Sequence, residues 1–92
     1  MAASKQNLVG DRIRKLRTEA GISQDALSTK CQAAGWDISR GTFAKIEAGL
    51  RRVNDAEVVV LAKVLNCDIA ELLGGFSLRK AIEVSRHGDT TG

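Results

Sequence analysis

Residues 22–53 read ISQDALSTKCQAAGWDISRGTFAKIEAGLRRV, and the fold turns on them. The stretch contains two helix starts built the same way. Ser23 precedes Gln24-Asp25-Ala26-Leu27, and its side-chain oxygen can accept from a free backbone N–H of the first turn. Ile22 just before the cap and Leu27 in the next turn match a hydrophobic staple. Ser39 repeats the cap, with Ile38 and Phe43 as its staple. The spacing predicts one helix over about 24–34 and another over about 40–48. Leu27, Cys31 and Ala34 face inward on the former, Phe43 and Ile46 on the latter. Gly35 and Gly49 end them. Two short helices joined by a Gly-containing turn read as a helix-turn-helix.

Working outward, residues 8–20 place Val9, Ile13, Leu16 and Ala20 on one apolar stripe, with Gly21 as the stop. Arg12, Arg14, Lys15 and Arg17 take other faces, and Arg14 and Arg17 read as solvated. Downstream, Asn54 with Glu57 forms a capping-box pattern ahead of Val58, Leu61, Ala62 and Leu65, and Asn66 ends that helix. Asp68 and Glu71 repeat the box for a short helix with Ile69, Leu72 and Leu73. Gly74-Gly75 is a break. Beyond it, residues 76–86 read as a short helix, an arm or a strand. Phe76, Leu78 and Ile82 form a sticky stripe there, suited to a dimer or another protein. The expected organisation is a flexible lead at 1–7, a helix-turn-helix domain at 8–75, and a C-terminal contact segment and tail at 76–92. The fold class is all-α: five helices plus the C-terminal piece.

Composition bounds the function. The chain has 92 residues, 43% of them hydrophobic, and no Pro, which suits one helical domain with a modest core. No apolar run is long enough to span a membrane, and the N-terminus lacks the apolar core of a secretory signal. The expected location is therefore the cytoplasm, close to the nucleoid. Cys31 and Cys67 are far apart, with no CxxC and no neighbouring His, which argues against zinc or a disulfide framework and for ordinary core positions. His87 lies in the tail without a catalytic partner, and no P-loop or HExxH motif occurs. Neither an enzyme nor a cofactor is expected.

Charge is unevenly spread. Residues 1–52 hold ten basic and five acidic side chains, a net +5, while residues 53–92 hold four basic and six acidic ones, a net −2. The basic half contains the helix-turn-helix, which suggests a polyanionic partner. A major-groove helix needs side chains that reach base edges from its leading turns. Arg40 and Lys45 suit that role. They lie roughly 140° apart around the helix and avoid the Phe43/Ile46 face. Gly41 and Thr42 between them let the backbone approach closely. Arg40 is also a cation at a helix N-terminus, where the dipole disfavours it unless an anion is present. Candidate phosphate contacts are Gln24, Ser39, Arg51 and Arg52, with Gln24 alternatively bracing Arg40. Trp36 reads as a cover over the junction of the two helices, or as a stacking contact. Glu47 reads as an anchor for a backbone group or an Arg.

From about Leu8 to Leu73 the chain resembles the phage repressor/Cro-type, or Xre, family of helix-turn-helix proteins. The resemblance rests on GDRIRKLRTEAGISQDAL, ISRGTFAKIEAGLRRV and NDAEVVVLAKVLNCDIAELL, above all on the Ser23-Gln24 start and the Ile46-Glu47-Ala48-Gly49 end of the third helix. It implies a five-helix DNA-binding fold and a transcriptional regulator, usually a repressor, that dimerises on an inverted-repeat double-stranded operator. By position it implies base reading by Arg40, Gly41 and Lys45 and a phosphate contact by Gln24. One departure is the connection Gln32-Ala33-Ala34-Gly35-Trp36-Asp37, about five residues longer than the family's usual very short turn, as in a subtype with a Gly-aromatic-Asp-Ile-Ser segment. The alternative function is an antitoxin or protein-interaction module in which residues 76–92 bind a protein and DNA binding is secondary.

Overall fold

A computed structural model describes residues 5–87. Among them are six helices and no strand: α1 (Gly10–Glu19), α2 (Gln24–Ala33), α3 (Arg40–Glu47), α4 (Asp55–Leu65), α5 (Ile69–Leu73) and α6 (Leu78–His87). The all-α expectation holds, and the uncertain C-terminal piece is a helix. The starts of α2 to α6 follow from local chemistry. Ser23 Oγ accepts from Ala26 N at 3.0 Å, and Ser39 Oγ accepts from Thr42 N at 3.1 Å. At α4 the box is reciprocal: Glu57 N donates to Asn54 Oδ1 at 2.8 Å and Asn54 N to Glu57 Oε1 at 3.2 Å. At α5, Asp68 N donates to Glu71 Oε2 at 2.8 Å. Ser77, which the sequence reading passed over, caps α6 by accepting from Lys80 N at 3.1 Å.

The core lies between α1, α2, α3 and α4, closed at one side by α5. Val9 and Ile13, Leu27 and Cys31, Phe43 and Ile46, Val58, Leu61 and Ala62, and Leu72 are all buried together. Both staples pack as expected, since Ile38 joins this core and Ile22 packs against it. Ala20 and Ala34, expected on buried faces, are exposed. Each sits at a C-cap, where the helix has run past the core.

α1 and α3 cross closely at Gly10. A Cβ there would come within 2.5 Å of the Ile46 carbonyl oxygen and 2.8 Å of that of Glu47, so only glycine allows the approach. The segment before α1, residues 5–7, completes this contact. Asn7 Nδ2 donates to the carbonyls of Ile46 (3.0 Å) and Arg51 (2.8 Å), while its Oδ1 accepts from Gly10 N (2.8 Å). Gln6 N donates to Gly49 O at 2.9 Å, and Lys5 Nζ to Ala48 O at 3.1 Å. The bonds to Ala48 O and Gly49 O satisfy carbonyls at the end of α3 that have no helical partner. Residues 1–4 of the lead and 88–92 of the expected tail lie outside the described residues.

The path into α6 is fixed by Arg12. Its guanidinium donates to Glu71 O at 2.9 Å and Gly74 O at 2.8 Å, and lies 4.5 Å from the centroid of the Phe76 ring. Phe76 is thus half-buried beside Arg12, less open than Leu78 and Ile82, with which it was expected to form a stripe. On α6, Val84 is buried, whereas Leu78 is 76% exposed and Ile82 43%. No helix among the described residues is long and apolar enough to cross a membrane.

Candidate nucleic-acid interface

α3 divides into two arcs. Phe43, Ile46 and Glu47 are buried on one side, while Arg40, Gly41 and Lys45 are exposed on the other. Among the described residues, the Arg40 and Lys45 side chains make no hydrogen bond or ion pair. Arg40 is the first residue of α3, directly after the Ser39 cap. A cation there meets the positive end of the helix dipole with no anion to offset it. Gly41 has no heavy atom closer to an added Cβ than Ser39 Oγ at 3.9 Å, so packing does not demand glycine at this site. A glycine in an exposed helical turn costs stability relative to alanine. Thr42 is half-buried, and its Oγ1 accepts from Ser39 Oγ at 3.0 Å. Both hydroxyls are thus already engaged in capping.

The connection that departs from the short turn is itself ordered. Gly35, at φ +105°, ends α2, and Trp36 N donates back to Cys31 O at 2.9 Å. This is the Schellman closure, which turns the chain sharply out of a helix. Gln32 Nε2 donates to Ile38 O at 2.7 Å and ties the far end of the connection to α2. Trp36 packs partly buried against the core and lies beside the start of α4, sharing a hollow with Asn54, Ala56 and Glu57. Gly49, at φ +78°, gives α3 the same ending, with Leu50 N donating to Lys45 O at 2.9 Å.

Glu47 anchors the assembly, as expected, but through partners that sequence reasoning had not paired with it. Its carboxylate is fully buried. Arg17 Nε donates to Oε2 at 2.6 Å and Arg17 Nη2 to Oε1 at 3.2 Å. Arg17 Nη1 also donates to Ile22 O at 2.8 Å. This corrects the reading of Arg17 as a solvated cation, and the hydrogen bond to Glu47 raises its pKa above the ordinary arginine value. Gln24 Nε2 donates to Glu47 Oε1 at 2.9 Å, so Gln24 braces Glu47 and not Arg40. A buried carboxylate is tolerated because its oxygens are paired and hydrogen-bonded.

The two loop arginines differ. Arg51 is bound bidentately by Glu57, Nη1 to Oε1 and Nη2 to Oε2, both at 3.0 Å, and its Nη1 also donates to Arg52 O at 2.8 Å. The Arg51 hydrogen bonds hold the Glu57 carboxyl below its ordinary value of 4.5 and push Arg51 up. Arg51 thus serves first as a clamp on the α3–α4 loop. Arg52 is exposed beside it. Cys31 is buried and Cys67 half-buried, and burial raises both thiol pKa values. Among the described residues no group of His, Cys, Asp and Glu is placed to hold a metal ion.

A family profile described as a helix-turn-helix domain matches residues 8–73. No curated protein and no solved structure matched the chain. The match covers α1 to α5 and leaves α6 outside. With the profile spanning most of its length, the chain belongs to the helix-turn-helix domain family.

Proposed function

We propose that the protein is a sequence-specific regulator that binds double-stranded DNA in the major groove through α3 and acts as a repressor at an operator. It belongs, on this reading, to the Xre/Cro-like branch of helix-turn-helix proteins. The observation that carries the reading is the exposed face of α3. Arg40 stands there without a partner at the positive end of the helix, next to a glycine that packing does not require. Arg40, Gly41, Thr42 and Lys45 face the bases, with Arg40 making the discriminating contact. Gln24, Ser39 and the Arg51-Arg52 loop lie along the backbone. Because Arg51 is already paired with Glu57, its contribution to phosphate binding is smaller than that of an unpaired cation. The working form is a homodimer on an inverted repeat, in the cytoplasm.

The experiment is enrichment of bound sites from a pool of random duplexes. Two half-sites at a fixed spacing of about one helical turn, or a multiple of it, support the dimeric regulator. Recovery of unenriched sequence overturns specific recognition.

A second reading has one observation in its favour. Leu78 and Ile82 leave an apolar stripe on α6 uncovered by the domain. An antitoxin or protein-interaction module would bury this stripe against a protein partner, with DNA binding secondary. Sedimentation separates the two. A dimer that dissociates when residues 76–92 are deleted supports self-association, and a strict monomer at high concentration removes the homodimer.

A further inference from the structure

Glu47 gathers side chains from two other helices, and one of them has no structural reason to be there. Arg17 satisfies the carboxylate at 2.6 Å and is only 13% exposed. Arg14 adds a second guanidinium, its Nε 3.7 Å from Oε1, with its side chain 56% exposed. Two guanidiniums against one carboxylate leave one positive charge over. Among the described residues the Arg14 side chain has no other ionic partner. An ion pair this exposed and this long contributes little to stability. The same Oε1 accepts from Gln24 Nε2 at 2.9 Å, so Arg14 and Gln24 flank one atom.

Their position relative to α3 matters. At 100° per residue, Glu47 lies roughly 20° from Arg40 around the helix, two turns further along. The groups that reach Glu47 from outside therefore stand along the edge of α3 that begins with Arg40. A helix laid in the major groove has a sugar-phosphate backbone along such an edge. Gln24 keeps a second amide N–H after serving Glu47, and Arg14 keeps donors beyond Nε.

We propose that Arg14 joins Gln24 in a clamp for one DNA backbone phosphate, with Glu47 as the positioning residue that holds both. The inference rests on the DNA-binding reading above. It extends that reading by giving a role to Arg14, which the sequence presents as a solvated cation, and to the buried carboxylate. A phosphate contact carries no sequence information, so the clamp adds affinity evenly across sequences.

The test is fluorescence anisotropy on a labelled duplex of random sequence and on a site enriched from the random pool, across a range of salt. Arg14→Ala is expected to weaken binding to both duplexes by the same factor. It should lower the slope of log affinity against log salt by about 1. Its deficit should shrink about threefold between about 50 and 200 mM salt. Its melting temperature should match that of the wild type, and Arg14→Lys should restore the slope. In Glu47→Gln, assayed at a temperature where circular dichroism shows it folded, Arg14 is no longer held, so adding Arg14→Ala should change the slope less than it does in the wild type. An unchanged slope in Arg14→Ala overturns the clamp, and an equal slope change from Arg14→Ala in the wild type and in Glu47→Gln overturns the positioning role. Arg40→Ala separates these failures from failure of the underlying reading. If it abolishes the preference for the enriched site while Arg14→Ala is silent, only the clamp falls. If the wild type binds neither duplex, both fall.

Discussion

α3 and α6 are both short helices with one face turned out, and they are built in opposite ways. α3 is held from beneath by Phe43 and Ile46 in the core, by Glu47 in an ion-pair network, and by the 5–7 segment at its C-terminal end. Its outer face carries Arg40, Gly41 and Lys45. α6 rests on the domain through Val84 and is tethered by Arg12 over Phe76. Its outer face carries Leu78 and Ile82. A rigidly held helix with unpaired cations suits a polyanion whose geometry must be read precisely. A lightly held helix with exposed apolar side chains suits burial by protein, and it lies outside the matched domain.

The contrast can be broken first by stability. Phe43→Ala should cost about 3–5 kcal/mol, because it opens a cavity in the packed core. Val84→Ala should cost only about 1–2 kcal/mol, since it empties a shallower site beside a single helix. Urea unfolding of the two variants checks this, and equal losses would show that α6 is as integral to the fold as α3.

Acid tests the flank of α3. The Glu57 carboxyl is held below 4.5 by Arg51, so the pair contributes stability that is present above pH 4.5. That contribution is lost as the pH falls through the lowered folded-state value. Melting temperature followed downward from pH 6 should therefore drop more steeply for the wild type than for Glu57→Gln. Parallel curves would mean that the Arg51 clamp does not stabilise the loop.

Gly41→Ala sharpens the contrast on α3 itself. The added methyl meets open space, so the variant should gain up to about 1 kcal/mol of stability. It should nevertheless bind the enriched site more weakly, by keeping the backbone from the groove. Greater stability with unchanged binding would remove Gly41 from the interface. The smallest stability effect is expected on α6. Leu78→Ser should change the stability of the isolated chain by less than about 0.5 kcal/mol. It should also weaken any self-association seen by sedimentation, and a loss of several kcal/mol would mean that the stripe is covered within the monomer.

How far the sequence disclosed these two helices depends on the range of the interactions. The caps at Ser23, Ser39 and Asn54 act across three residues, so they were legible and the helix starts followed. Asn7 was not legible, because its amide bonds the distant carbonyls of Ile46 and Arg51. The pairing of Arg17 with Glu47 was hidden for the same reason: only the α1–α3 crossing at Gly10 brings them together. On α6, periodicity picked out Leu78 and Ile82 but not Val84, the apolar residue that faces the domain. Arg12 draws Phe76 inward and leaves Leu78 outside, a choice made by tertiary contacts. At the candidate site, the exposure of Arg40 and Lys45 followed from helical spacing, whereas the commitment of Arg51 to Glu57 appeared only in the fold.

The central claim is that α3 reads DNA through Arg40. Affinities of wild type and Arg40→Ala for an enriched site and for its scrambled counterpart, at one salt concentration, test it most directly. The expected result is a loss of discrimination between the two duplexes worth about 1–3 kcal/mol, with binding to the scrambled duplex much less affected. Equal weakening on both duplexes would show Arg40 to be a phosphate contact and would contradict the claim.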